Sequence, residues 1–238
     1  MRTKMATPEQ NKAFARAYCW GDAARAKLVR DFHVEVESYE KLLPDQGIES
    51  FATGGRMIVH EVIIFKVVDE TNGIIYHPAF SAAVGKALAR AAGLPLPRKM
   101  GVLTEPRNGG GGGAGGNGRS ARNVENKKML FLIQYVRSLW LLHAPKITPM
   151  YGPLRRIYCK LEAHPEYDVF VSDILRINSA IKTYLKSDVN LNNEAFDNLA
   201  QYIAYLSETY PRYNLRDHNF DILRQRLHTA YPNVEIYF

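Results

Sequence analysis

The spacing of apolar residues changes character along this chain and predicts its elements in order. Near the start, apolar positions recur every three or four residues, the period of a helix with one buried face. Thr7-Pro8-Glu9-Gln10 offers an N-cap, a proline at the first helical position and the glutamine of a capping box, and Ala13, Phe14, Ala17 and Tyr18 then share a face. Gly21-Asp22 interrupts, with Asp22 placed to cap a second helix. Leu28, Phe32, Val36, Tyr39 and Leu43 carry the helical period on to Pro44, although His33–Tyr39 also alternates as a strand does. Asp45–Gly55 reads as a loop. The period changes at Met57–Val68, rich in Ile and Val. Asp69-Glu70-Thr71-Asn72-Gly73 has turn chemistry, and Ile74-Ile75-Tyr76 returns as a partner strand, which predicts a β-hairpin. Pro78 suits the first turn of an Ala-rich helix over Ala79–Ala92, closed by Gly93.

Pro95, Pro97 and Pro106 then lead into Asn108–Arg122, which holds eight of the 17 glycines. Glycine loses the most backbone freedom on ordering and buries no side chain, so this run reads as a tether. The predicted linker spans residues 94–122. Beyond it the pattern is helical throughout. Asn123 caps a helix whose apolar positions Met129, Leu132, Ile133, Val136, Trp140 and His143 are joined by Leu130, Phe131, Leu139 and Leu141, so its surface is apolar almost all round. Such a helix is central and buried. A short helix is expected over Pro153–Ala163. Another starts at Pro165, with Phe170, Ile174, Ile177, Ile181 and Leu185 on one stripe. Asn192 or Asn193 caps the next, with Phe196, Leu199, Ile203, Leu206 and Tyr210 in register up to Pro211. The last covers about Asp217–Ala230, presenting Phe220, Leu223 and Leu227, and the tail Val234–Phe238 alternates like a strand and could dock on a neighbour. The expected fold is therefore mainly α: a small α+β lobe (1–93), the linker (94–122) and an all-α bundle of about five helices (123–238).

Charge adds a mild bias. The net charge is +7, with 31 Lys and Arg against 24 Asp and Glu. Residues 1–108 carry 15 basic and 12 acidic residues, and 109–238 carry 16 and 12, so neither half owns the excess. An excess of this sign favours polyanionic partners. The two cysteines, Cys19 and Cys159, make no CxxC, which excludes a disulfide scaffold and favours a reducing compartment. The N-terminus lacks the apolar core of a signal peptide, and no segment has the length to span a bilayer. The expectation is a soluble cytoplasmic or nuclear protein with no membrane insertion.

No nucleotide loop, zinc signature or nucleophile elbow occurs. The glycine run follows no strand and precedes no Lys-Ser or Lys-Thr, so it is not a phosphate loop. The seven histidines are scattered. Cys159 and His164 are five residues apart with Pro165 following, which does not place them on one helical face, and Cys159 reads as a small buried core thiol. No catalytic residue, metal ligand or cofactor is expected.

The stronger signal is basic residues interleaved with aromatics in the second half. Tyr151, Arg155, Arg156, Tyr158 and Lys160 form one cluster, and Arg212, Tyr213 and Arg216 another. Arg224 and Arg226 lie on the last helix, and Arg119, Arg122, Lys127 and Lys128 sit where the tether meets the bundle. Arg and Lys neutralise phosphates, and tyrosine offers bases a stacking platform. Arg156 and Lys160, four apart, share a helical face. These residues form the candidate nucleic-acid-binding set. The functional expectation is a basic, self-associating protein that packages single-stranded nucleic acid, RNA in preference. Its format of two lobes with flexible and extended segments is like that of small viral nucleoproteins. The competing expectation is a helical scaffold or adaptor acting through protein partners.

Overall fold

A computed structural model of the chain describes residues 3–52, 54, 56–105, 123–143, 150, 152–185 and 196–238. The predicted tether core, Arg119, Arg122, Tyr151 and the predicted caps Asn192 and Asn193 lie outside the described residues. The chain divides into two compact units, whose described residues meet in sequence between Met100 and Gly101.

In unit 1 the capping box forms as the sequence predicts. The Gln10 N–H donates to Thr7 Oγ1, and the Thr7 N–H donates to Gln10 Oε1. This opens α1 (Pro8–Phe14), which passes through a π-helical turn (Ala15–Cys19) to α2 (Asp22–Asp31). Gly21, at φ 84°, precedes α2 without any side-chain cap, so Asp22 is its first residue rather than its cap. The predicted continuation of this helix to Pro44 does not form. The chain becomes strand β2 (His33–Lys41), because the alternating period over these residues matches a pairing surface on β5 (Glu61–Asp69). Val34, Val36 and Tyr39 lie opposite Val67, Phe65 and Ile63, with a bulge at Glu37.

The predicted hairpin is present. β5 turns through Gly73, at φ 64°, into β6 (Ile74–Tyr76), with Asp69 accepting from the Thr71 and Asn72 N–H groups. With the N-terminal β1 (Lys4–Met5) the sheet runs β1-β6-β5-β2, and β7 (Ala79–Ser81) also pairs β5. A separate two-stranded ribbon is made by β3 (Ile48–Glu49) and β4 (Met57–Ile58). The Ala-rich helix α3 (Ala82–Ala91) starts three residues later than the sequence suggests, because Ala79–Ser81 pair with β5, and Gly93 closes it at φ 66°. The core gathers Phe14, Cys19, Leu28, Tyr39, Ile63, Phe65, Tyr76, Phe80 and Leu88 between helices and sheet.

In unit 2, α4 (Val124–His143) is the central helix. The Asn123 side chain caps it by accepting from the Glu125 N–H, and every residue from Met129 to Leu139 is buried. Around it stand α5 (Gly152–Ala163), α6 (Val171–Leu185), α7 (Leu199–Thr209) and α8 (Asp221–Ala230). Five helices lie among the described residues of unit 2, but the all-helical character expected of it does not hold. Leu103–Thr104 (β8) pairs with Asn214–Leu215 (β9), 110 residues away, and Val102 and Leu103 are buried. The tail is extended and docked but joins no sheet among the described residues. The mainly α expectation is thus corrected: about half of the chain is helical and 18% is strand, mixed α/β content with strands in both units. No helix among the described residues is long and apolar enough to cross a membrane.

Candidate nucleic-acid interface

The amphipathic pattern of α5 fixes which side chains face outward. Leu154, Ile157, Tyr158 and Leu161 are buried, while Arg156 is exposed and Lys160 half-exposed four residues on. After α5 the chain turns at Pro165 and runs to the start of α6 as a loop over 164–170. That loop is pinned from beneath by α4. Buried Asn126 directs its Nδ2 at the main-chain oxygens of Leu161, His164 and Tyr167, at 3.4, 3.1 and 3.5 Å. The Asn123 N–H donates to the Pro165 oxygen, and its side chain donates to Asp168.

Held this way, the loop presents two aromatic rings. Tyr167 is 45% exposed and Phe170 is 57% exposed. The Tyr167 ring stacks on His164, with centroids 4.4 Å apart and planes 8° from parallel. Lys160 Nζ stands 3.9 Å above the Phe170 ring, within cation–π range. Arg156 and Lys160 make no ion pair among the described residues. The corner between α5 and α6 therefore sets Lys160, with exposed Arg156 one helical turn before it, by two exposed rings, bordered by Glu166, which lies 3.7 Å from His164, and Asp168. Phe170 departs from expectation: the helix expected from Pro165 begins only at Val171, so Phe170 precedes α6 instead of lying on its buried stripe, and its ring turns outward.

The remaining predicted residues are placed differently. Tyr158 is 5% exposed and packs inward, so its ring offers no face to a base. Arg155 is half-buried on the same helix. Lys128 grips both carboxylate oxygens of Asp217 at 2.7 Å, and its hydrogen bond holds the Asp217 carboxyl below the ordinary aspartate range. Arg226 pairs with Glu125. Arg224 donates to the main-chain oxygen of Phe238 and to Asp221. Arg216 donates to the Gly101 oxygen, and it shares the buried Phe131 ring with exposed Lys127. Arg212 is exposed with no ion pair among the described residues, and Tyr213 is half-buried. Arg119, Arg122 and Tyr151 fall outside the described residues.

Cys159 is exposed rather than a buried core thiol, because its position on α5 lies between the two polar-face residues Arg156 and Lys160. Cys19 is the buried cysteine, and burial pushes its thiol up to about 12. Among the described residues no cluster of three His, Cys, Asp or Glu is arranged to hold a metal ion. The sequence reading missed Tyr167 and Asn126. The signal for the first was the polar run Pro165-Glu166-Tyr167-Asp168, which marks a turn and not a helix start. Asn126, inside an otherwise apolar helix, carried no local sign of its distant acceptors. No protein-family model, curated protein or solved structure matches this chain.

Proposed function

We propose that this protein binds single-stranded nucleic acid, RNA in preference, through the α5–α6 corner of unit 2, and self-associates to package the strand. The observation that supports this is the exposed pair Tyr167 and Phe170, with Lys160 over the Phe170 ring and exposed Arg156 one helical turn before it on α5. Bases stack on rings irrespective of sequence, and cations track the phosphates. In this reading Arg156 and Lys160 hold phosphates while Tyr167 and Phe170 receive bases.

The test is fluorescence anisotropy of a labelled oligouridine over a range of salt. Each stacked base contributes about 1–3 kcal/mol, so Tyr167→Ala with Phe170→Ala should weaken binding by at least about tenfold. Arg156→Ala with Lys160→Ala should flatten the salt dependence by about 1.4 in log–log slope, at ~0.7 per phosphate contact on a single strand. Unchanged affinity and slope in both variants would reject this face.

A second reading, a protein-binding adaptor, is favoured by a different observation in unit 1. Met57 and Val59 expose 51% and 44% of their surface beside the β3–β4 ribbon, and Trp20, 44% exposed, rests against Gly54. It predicts that salt hardly matters to function and that Met57→Ser with Val59→Ser abolishes partner binding.

A further inference from the structure

The chain beyond α8 is held as a ligand is held. From α8 it passes through a turn at Pro232-Asn233, closed by the Val234 N–H on the Tyr231 oxygen, and continues extended over Val234–Phe238. Among the described residues no strand pairs with it. Its main chain is read by side chains and by a helix terminus. Asn178 on α6, 3% exposed, accepts from the Tyr237 N–H at 2.8 Å and donates to the Glu235 oxygen at 2.8 Å. One amide thus makes both bonds that a neighbouring strand would make, whatever side chain residue 236 carries. The Leu199 N–H, an unpaired donor in the first turn of α7, donates to the Tyr237 oxygen at 2.7 Å. Arg224 on α8 donates to the Phe238 oxygen at 2.5 Å and is steadied by Asp221.

Side chains add selectivity. Phe238, 4% exposed, meets Phe220 edge to face at 6.3 Å. Tyr237, 7% exposed, lies under the Lys182 ammonium at 5.3 Å. Glu235 points outward and receives the Tyr237 hydroxyl. Two adjacent aromatics are buried while the main chain is bonded at residues 235, 237 and 238, the recognition mode of an extended peptide in a groove.

Beyond the turn, each main-chain bond of the segment is supplied by an element other than the segment itself. The segment leaves α8 through the turn at Pro232-Asn233. If that turn opens, the same bonds form with the segment of another molecule, and only the hinge changes, which is the condition for exchange between copies. We infer that the groove formed by α6, α7 and α8 is a peptide-recognition site, and that the Val234–Phe238 segment of a second copy takes it in place of the chain's own. This deepens the self-association in the proposed function, on which it rests, and is independent of nucleic acid.

The experiment uses the full chain. Its mass is followed by sizing with light scattering from dilute to concentrated solution, without and with an excess of a labelled peptide of residues 233–238. Exchange predicts dimers that form on concentration, dissolve into monomers when the peptide is added and carry the label. A scrambled peptide leaves them intact. Asn178→Ala removes two hydrogen bonds and should weaken capture by about tenfold or more. The competition on the unaltered chain decides the matter even where that variant folds poorly. Dimers that ignore the peptide would overturn the exchange while leaving self-association standing through another surface. Monomers at every concentration would overturn both.

Discussion

Gly85→Ala in unit 1 is a perturbation whose sign two effects contest. Gly85 lies inside α3, where glycine is disfavoured, and replacing it by alanine ordinarily stabilises a helix by about 0.5–1 kcal/mol. Here α3 packs on the central strand β5. A Cβ added at Gly85 would stand 2.7 Å from Ile63 Cβ, 3.0 Å from Cδ1 and 3.2 Å from Cγ1. Carbon pairs are optimal at about 3.5–4.0 Å, so the nearest contact is roughly an ångström too short. Ile63 cannot yield cheaply. It is fully buried, and its backbone is paired on both sides, opposite Tyr39 and opposite Phe80. Relief requires α3 to lift from the sheet, and forcing an extra carbon into a packed core costs typically ~1–3 kcal/mol.

Overpacking wins, and the expected net loss is about 1–2 kcal/mol. For a unit of this size each kcal/mol shifts the midpoint by roughly 4–8 °C. Calorimetry of the full chain should therefore show the transition of unit 1 lowered, and hydrogen exchange should speed up in α3 and β5. Gly152→Ala is the internal control: the residue opens α5, nothing lies within 4 Å of its added Cβ, and the change should be neutral or stabilising by up to ~1 kcal/mol. A Gly85→Ala protein that melts at or above the original would refute the reasoning. It would mean that α3 floats on the sheet instead of being keyed to Ile63.

Two further predictions rest on single groups. Ellman's reagent should titrate Cys159 at once in the native protein and Cys19 only on unfolding, since Cys159 is exposed and burial pushes the Cys19 thiol up to about 12; Cys159→Ser should remove the fast phase. The hydrogen bond from Lys128 holds Asp217 below its ordinary pKa, so the folded chain binds that proton more weakly than the unfolded one. The resulting stabilisation is complete above the ordinary aspartate value and is lost as pH falls through the lower folded value. Melting curves taken through that acid range should decline less steeply for Asp217→Asn, and an unaltered decline would remove the pair from the account.

What was legible in the sequence was local. The Thr7–Gln10 capping box, the Asp69–Gly73 turn, the closure at Gly93 and the Asn123 cap are each decided within a few residues, and each forms as read. What was not legible depended on distant partners. His33–Lys41 carries two periods at once, and only the apolar face of β5 decides for the strand. Leu103 and Leu215 look like loop residues until they meet across the second unit. At the candidate interface, Arg156 and Lys160 follow from their four-residue spacing, whereas the outward turn of Phe170 depends on where α4 pins the preceding loop.

The same distinction reshapes the electrostatic argument. Counting basic residues by neighbourhood in sequence treats Lys128, Arg226, Arg216 and Arg224 as available to phosphates. In the fold Lys128 is engaged by Asp217, 89 residues away, and Arg226 by Glu125, 101 residues away. Arg216 is engaged by the Gly101 oxygen, 115 residues away. Releasing such a cation to a phosphate leaves its former partner unmatched, so the gain in binding is offset within the protein. The net charge of +7 therefore overstates what a strand can use. On the proposed reading the working face contracts to two cations and two rings, enough for a few nucleotides. A site that small binds weakly alone. Packaging then requires many copies along one strand, because linked weak sites gain affinity through effective concentration and not through new contacts. On the proposed reading, exchange of the Val234–Phe238 segment joins two such faces in one dimer, and binding of the first face to a strand raises the effective concentration of the second.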